Sequence, residues 1–294
     1  MPPRETLLLI DGHAAAYRAF YAIRNLTGPD GTPTNAIFGF VKAFQRAREL
    51  TNPSHLAVAW DGGLDEQRTD ILPGYKSERD PMPDDLEPQL DAIVEWLEAS
   101  GVPSLVEEGV EADDSIATLA RQAEAADRFT VIASPDKDFF QLINENIGLL
   151  NPNDKSGTVW SAEQVQAKTG VLPGQIIDWL SLVGDAVDDI PGVRGVGPKT
   201  AAKWLEQFGT LETLLQSIDK IQPERFRGPL DKLRKDLARN QKLVRLREDL
   251  PLPSEPSNLA PGSVDPVQLH ALYTRWGFLG LRQSLEDSRQ QDLF

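Results

Sequence analysis

Leu7-Leu8-Leu9-Ile10-Asp11-Gly12 is a short apolar run that stops at an aspartate and a glycine, the pattern of a buried strand ending in a turn. The pattern recurs at residues 56–60 (LAVAW), which stop at Asp61-Gly62-Gly63, and at residues 129–134 (FTVIAS), which stop at Pro135-Asp136. Between these runs the apolar spacing is helical: Phe38, Val41, Phe44 and Ala47, then Leu90, Ile93, Val94 and Leu97, then Ile116, Leu119, Ala120 and Ala123. Strands alternating with amphipathic helices predict an α/β domain over residues 1–160, with a mainly parallel central sheet flanked by helices. A turn-rich stretch, NPNDKSGTVW at 151–160, closes it. Beyond it the pattern is helical over 161–169, 173–183, 199–207, 211–217 and a long basic helix or pair at 226–248. A Pro-rich segment, 251–266, precedes a last helical piece at 267–286, and 287–294 read as a flexible polar tail. The expected second domain is therefore all-helical and spans 161–286.

Composition narrows the chemistry. The 294 residues carry 45 acidic and 30 basic side chains, a net charge of −15, with 40% hydrophobic and 26% charged residues, which excludes wholesale disorder. With no cysteine there are no disulfides or thiolate zinc sites, and three scattered histidines (His13, His55, His270) do not build a metal centre. No apolar run approaches the ~18–20 residues that span a bilayer, and the N-terminus is too short and acid-terminated for a signal peptide. A soluble cytoplasmic monomer is the expectation.

Three expected strands finish in Asp11, Asp61 and Asp136, where an open parallel sheet binds its ligands. One such aspartate also fits an ordinary turn or helix cap. Here they have company: Glu111, Asp113 and Asp114 open one helix, Asp136 and Asp138 another, and Asp185 and Asp188 precede a glycine-rich turn. Two like charges ~4 Å apart repel by about 4 kcal/mol at an effective dielectric near 20, so such a cluster must take up protons or hold cations. Oxygen-only donors suit Mg²⁺ or Mn²⁺, and two such ions suit phosphodiester cleavage.

The turn Pro191-Gly192-Val193-Arg194-Gly195-Val196-Gly197-Pro198-Lys199-Thr200 is not a P-loop, because Pro198 separates the glycine from the lysine. It reads as a helix-hairpin-helix turn whose backbone N–H groups meet a phosphate, or as a plain helix–helix turn. Arg194 to Arg247 hold thirteen Lys/Arg against six Asp/Glu, a local +7 that suits sequence-independent duplex binding. The long segment 62–82 carries Arg68, Tyr75, Lys76 and Arg79, a basic and aromatic mixture suited to single strands.

The motifs LLLIDGHAAAYRAF, AWDGGLDEQR, PGYKSERDPMP, VEADD, SPDKDFFQL and VGDAVDDIPGVRGVGPKTA stand in one order and spacing. In them the sequence resembles the 5′-nuclease (flap endonuclease) family, most nearly the 5′→3′ exonuclease domain at the N-terminus of bacterial DNA polymerase I. The resemblance runs from about Leu7 to residue 285. It implies a PIN-like nuclease domain and a helix-hairpin-helix (SAM-like) domain, and a structure-selective nuclease cutting DNA at 5′ ends and flaps. It also implies a metal set of Asp11, Asp61, Glu111, Asp113, Asp114, Asp136, Asp138, Asp185 and Asp188. Lys76 and Arg68 match residues of a helical arch over 62–82 that meet the scissile phosphate, with Tyr75 and Arg79 in the same arch and Tyr17 and Arg18 near the pocket. Arg194, Gly195, Gly197, Lys199 and Thr200 match the element that grips duplex DNA, where relatives often bind K⁺. Gln67 and Asp189 depart from the pattern, standing where relatives usually have an aromatic residue and an asparagine.

Because no polymerase follows Phe294, a stand-alone nuclease is expected. The last residues, Gln290-Gln291-Asp292-Leu293-Phe294, resemble the peptide by which bacterial replication proteins dock on the sliding clamp, with Gln290, Asp292, Leu293 and Phe294 as its contacts. Two other classes stay open: a DNA-structure-binding adaptor that does not cut, and an RNase of the related α/β nuclease superfamily.

Overall fold

The computed structural model describes residues 4–291. Strands β1 (Thr6–Asp11), β2 (His55–Trp60), β3 (Ser104–Val106), β4 (Phe129–Ala133), β5 (Ile147–Leu150) and β6 (Val159–Trp160) form one sheet in the order β3-β2-β1-β4-β5-β6. All neighbours run parallel except β6, which returns antiparallel along β5. Parallel strands need crossovers, and helices supply them: α1 (Gly12–Ala22), α2 (Asn35–Thr51), α3 (Glu66–Ile71), α4 (Glu87–Ala99) and α5 (Ala112–Ala125).

Side chains alternate across β1, yet all four of its apolar residues are buried because helices cover both faces. Leu7 and Leu9 meet Ile116, Leu119 and Ala120 of α5. Leu8 and Ile10 meet Phe40 and Val41 of α2 and Ile93 and Leu97 of α4. Strands β2 and β4 flank β1, with Ile10 opposite both Val58 and Ala133. The three strands that stop at an acid therefore stop side by side. The strand order reverses between β1 and β4, the position at which open α/β sheets bind ligands.

Ser161 caps α6 (Ala162–Thr169) in a capping box with Gln164 and begins the helical part. It continues through α7 (Ile176–Val183), the two-residue strands β7 (Gly184–Asp185) and β8 (Ile190–Pro191), α8 (Pro198–Phe208), α9 (Leu211–Gln216), α10 (Arg227–Lys232) and α11 (Arg234–Val244). The basic stretch is thus a pair of helices. In the hairpin between β8 and α8, a Cβ on Gly192 would stand 2.2 Å from the Val183 carbonyl oxygen, so glycine is required there. Val193 and Val196 are buried, which turns Arg194 and Lys199 outward. Buried Asn240 of α11 donates to the carbonyls of Pro191 (2.7 Å) and Ser181 (3.3 Å), fixing the hairpin to the basic helix.

The last helices lie against the first part of the chain. After the Pro-rich segment, α12 (Pro266–Trp276) and α13 (Leu279–Gln291) return to the α/β core, where Leu272, Trp276 and Phe278 pack with Phe40 and Trp96, and Trp96 Nε1 donates to Tyr273 Oη at 3.0 Å. The apolar sides of α2 and α4 need this cover. Helix α13 continues to Gln291, past the expected start of the tail at 287. In segment 62–82, where a helical arch is expected, the one helix is α3, six residues long, after which the chain turns inward. Of the proposed clamp contacts, Asp292, Leu293 and Phe294 lie outside the described residues, and so does the side chain of Gln290.

Candidate metal and nucleic-acid site

The pocket is assembled from strand ends upward. Asp11 caps α1, taking the Ala14 N–H at 3.0 Å and the Ser134 hydroxyl at 3.0 Å. Asp61 accepts the Ala112 N–H at 2.9 Å, while its own N–H donates to His13 Nδ1 at 3.1 Å. Burial holds His13 below the usual histidine range, in keeping with an accepting Nδ1. Asp136 accepts the Asp138 N–H at 2.9 Å, and Asp185 accepts that of Val187 at 2.9 Å.

Carboxylates from the sheet and from the hairpin domain then converge. Ligand oxygens of Asp138, Asp185 and Asp188 lie within 4.8 Å of one another. Asp138 Oδ1 is buried with no hydrogen-bond partner. A buried carboxylate oxygen left unpaired is costly unless a proton or cation meets it, so this trio fits a hard cation. Burial pushes the Asp11 carboxyl up to about 7, against its hydrogen bonds, with the charges of Asp61 and Asp136 pushing the same way. Burial also raises Asp113 and Asp138 well above the carboxylate range; Asp114 and Glu111 add to the first effect, Asp136, Asp188 and Asp185 to the second.

The chain's own cations lie in the same pocket. Lys76 Nζ is 2.6 Å from Glu111 Oε1, Arg79 is 2.6 Å from Asp188 Oδ1, and Lys137 Nζ is 2.6 Å from Asp185 Oδ2. Tyr75 is buried, its hydroxyl between Glu111 Oε2 (3.2 Å) and Asp188 Oδ2 (3.3 Å). The Lys76 N–H donates to the Asp188 carbonyl, and the Glu78 N–H to Asp189 Oδ2 at 2.9 Å. Residues 75–79 are therefore folded against the hairpin acids, with Asp189, itself in the left-handed region at φ 56°, as one of the clips.

Two expected site residues are joined in a buried ion-pair network. Asp114 is fully buried, and both its oxygens are taken: Oδ1 by Arg68 Nη2 and the Arg247 N–H, Oδ2 by Arg68 Nη1 and Arg247 Nε, at 2.7–2.8 Å. Each of its oxygens thus accepts two hydrogen bonds from arginine. Arg68 is 5% exposed and spends its donors on Asp65, Glu111, Asp114 and the carbonyls of Leu243 and Arg245. Arg18 donates to Asn153 Oδ1 (3.1 Å) and the Pro152 carbonyl (2.8 Å), which ties α1 to the turn before β6. Gln67 is exposed on α3. Arg194, Gly195 and Lys199 are exposed on the hairpin, with Gly197 and Thr200 half-buried beside them. Sequence reasoning passed over Ser134 and Lys137, although both stand inside SPDKD, over Asp65, although it stands inside AWDGGLDEQR, and over Arg247, which no motif marks.

A pH dependence follows. Between the ordinary aspartate value of 3.8 and about 7, the folded chain keeps protons that the unfolded chain has released, so stability falls as pH rises. In chelator, the melting temperature is expected to drop by a few degrees from pH 5 to pH 8, at roughly 2–4 °C per kcal/mol. Millimolar Mg²⁺ is expected to raise it more at pH 8 than at pH 5. Melts that are flat with pH and blind to Mg²⁺ would remove the electrostatic account of the pocket.

Comparison with known proteins gives the following. A family model described as 5′-3′ exonuclease, N-terminal resolvase-like domain, matches residues 6–170, and one described as 5′-3′ exonuclease, C-terminal SAM fold, matches residues 171–267. The chain is 40% identical over 247 residues to a 5′-3′ exonuclease of Aquifex aeolicus, covering 84% of this chain and 83% of that one. It is 37% identical over 250 residues to the thermostable DNA polymerase I of Thermus thermophilus, covering 85% of this chain and 30% of that one. It thus spans less than a third of the length of that polymerase. Among solved structures it is similar to T5 5′-exonuclease with bound zinc, at a TM-score of 0.69 and 20% identity over 83% of this chain and 90% of that one. It is also similar to the catalytic core of Rad2 in complex with DNA substrate, at 0.62 and 17% over 99% and 93%. At these identities the structural likeness is one of fold.

Proposed function

Because the chain belongs to the 5′-3′ exonuclease family, we propose that it is a metal-dependent nuclease that hydrolyses DNA phosphodiesters at 5′ ends and 5′ flaps, beside the junction of single strand and duplex. The observation that carries this reading is the convergence of Asp138, Asp185 and Asp188 around an unpaired buried oxygen. These three would hold one divalent cation, and Asp11, Glu111, Asp113 and Asp136, with Asp61 behind them, a second; all-oxygen donors favour Mg²⁺ or Mn²⁺. Bound there, such ions activate water and stabilise the attacking and leaving oxygens.

The protein's own part is positioning. Lys76 and Arg79 bring two positive charges to the pocket, where an entering phosphate exchanges for their present carboxylate partners. The Tyr75 ring, 4.9 Å from Lys76 Nζ, braces that lysine. Arg194, Gly195, Gly197, Lys199 and Thr200, with the basic pair α10 and α11, track the duplex backbone, and the hairpin carbonyls can take K⁺. No helix among the described residues is long and apolar enough to cross a membrane, and a monomer acting on DNA in the cytoplasm completes the reading.

One assay tests it: labelled 5′-flap DNA and a matching RNA, in Mg²⁺ and in chelator. Mg²⁺-dependent cutting of the DNA near the junction is expected. Binding without cutting would favour the adaptor, and preferential cutting of the RNA the RNase. In the same assay, a chain lacking 290–294 is expected to cut equally well and to lose retention on the bacterial sliding clamp; unchanged retention would end the proposal that Gln290, Asp292, Leu293 and Phe294 dock there.

A further inference from the structure

Between α1, α2 and the turn at 151–157 lies a cavity of about 310 Å³ whose lining holds none of the acids assigned to the metals. Small side chains create it: Ala15, Ala19 and Ala22 of α1 share its lining with Ala43 and Ala47 of α2. The helices are held close at Gly39, where a Cβ would stand 2.7 Å from the Ala19 Cβ. The interior is apolar, and Leu50, 46% exposed, stands at its edge. An apolar void of this kind has few partners for ordered water and is of the size that takes a small molecule.

The lining's charges are unlike the rest of the chain. Arg18, Lys42 and Arg46 all contribute to it, and among the described residues none of them forms a salt bridge. Their acceptors are neutral: Asn153 Oδ1 and the Pro152 carbonyl for Arg18, Gln45 Oε1 for Lys42, and the Lys155 carbonyl for Arg46. The one carboxylate in the lining, Asp154, already accepts from Trp160 Nε1 (2.8 Å) and the Ser156 N–H (2.9 Å). In a chain with 45 acids to 30 bases, three cations left with neutral partners around one apolar cavity are a local reversal of sign. Guanidinium and ammonium groups exchange such acceptors readily for an anion, because charge-assisted hydrogen bonds are the stronger.

We propose that this cavity binds a small amphipathic organic anion, with its apolar body between α1 and α2 and its carboxylate or phosphate on Arg18, Lys42 and Arg46. The lining reaches Ile10 and Pro135, the neighbours of Asp11 and Asp136, but includes none of the pocket acids, and its occupancy needs no metal. The probe is 1-anilinonaphthalene-8-sulfonate, titrated by fluorescence into the intact chain in chelator. One saturable site per chain is expected, roughly tenfold weaker in Arg46→Glu and Lys42→Glu, and lost when Ala43→Phe fills the cavity. Melts of each variant establish that it is folded; should Ala43→Phe fail to fold, the two charge variants decide. Unsaturable binding, more than one probe per chain, or equal affinity in the charge variants would overturn the proposal. So would a dimer in sedimentation that excludes the probe, which would give the cavity to a second copy of the chain.

Discussion

Asp185→Asn is expected to lower the rate of 5′-flap cleavage in Mg²⁺ by roughly a thousandfold, about 4 kcal/mol of transition-state stabilisation, while DNA affinity stays within about threefold. Asp185 comes from β7, in the part of the chain that carries the hairpin, yet it shares a cation-sized space with Asp138, which follows β4. Asparagine keeps the shape and removes the charge. It also frees Lys137, now 2.6 Å from Asp185 Oδ2, to turn toward Asp138, which would compete with a divalent ion. The loss should therefore appear in kcat and in the Mg²⁺ concentration at half-maximal rate, with little change in KM. Wild-type turnover by this variant would refute the metal assignment, whatever happens to binding.

Arg68→Ala is expected to act on folding. Its guanidinium bridges Asp65, Glu111 and Asp114, all buried, and holds the carbonyls of Leu243 and Arg245 at the end of α11. Removing one partner of a buried ion pair costs about 3–5 kcal/mol, because the remaining charges are left desolvated. For a chain of this size that predicts a fall in melting temperature of roughly 10 °C. Asp114→Asn should move stability in the same direction, since Arg68 and Arg247 both spend donors on that carboxylate. The distinguishing measurement is Mn²⁺ binding under conditions where each variant remains folded. Affinity close to wild type is expected for Asp114→Asn and a large loss for Asp185→Asn. An Arg68→Ala protein that melts like wild type but fails to cut would return that arginine to the substrate.

Much of the site was legible before the fold was known. Apolar runs that stop at Asp11, Asp61 and Asp136 identify strands whose ends carry acids, and the strand order β2-β1-β4 places those ends together. Glycine at 192 and 195, with valine at 193 and 196, is enough to mark the hairpin and to turn Arg194 outward. These features are local: strand period, turn chemistry and charge type are set by residues a few positions apart.

The tertiary structure alone decided which of two adjacent acids meets the arginines. Asp113 and Asp114 are adjacent and chemically identical, yet Asp113 accepts its neighbour's N–H while Asp114 accepts from Arg68 and Arg247, arginines 46 and 133 residues away. It also decided that 75–79 fold into the pocket, and that α12 and α13 cover α2 and α4. Periodicity reports that a side chain must leave water, but any sufficiently apolar or oppositely charged neighbour satisfies that demand. Which neighbour does so depends on how distant segments fill space around one another, and a one-dimensional pattern does not carry that information.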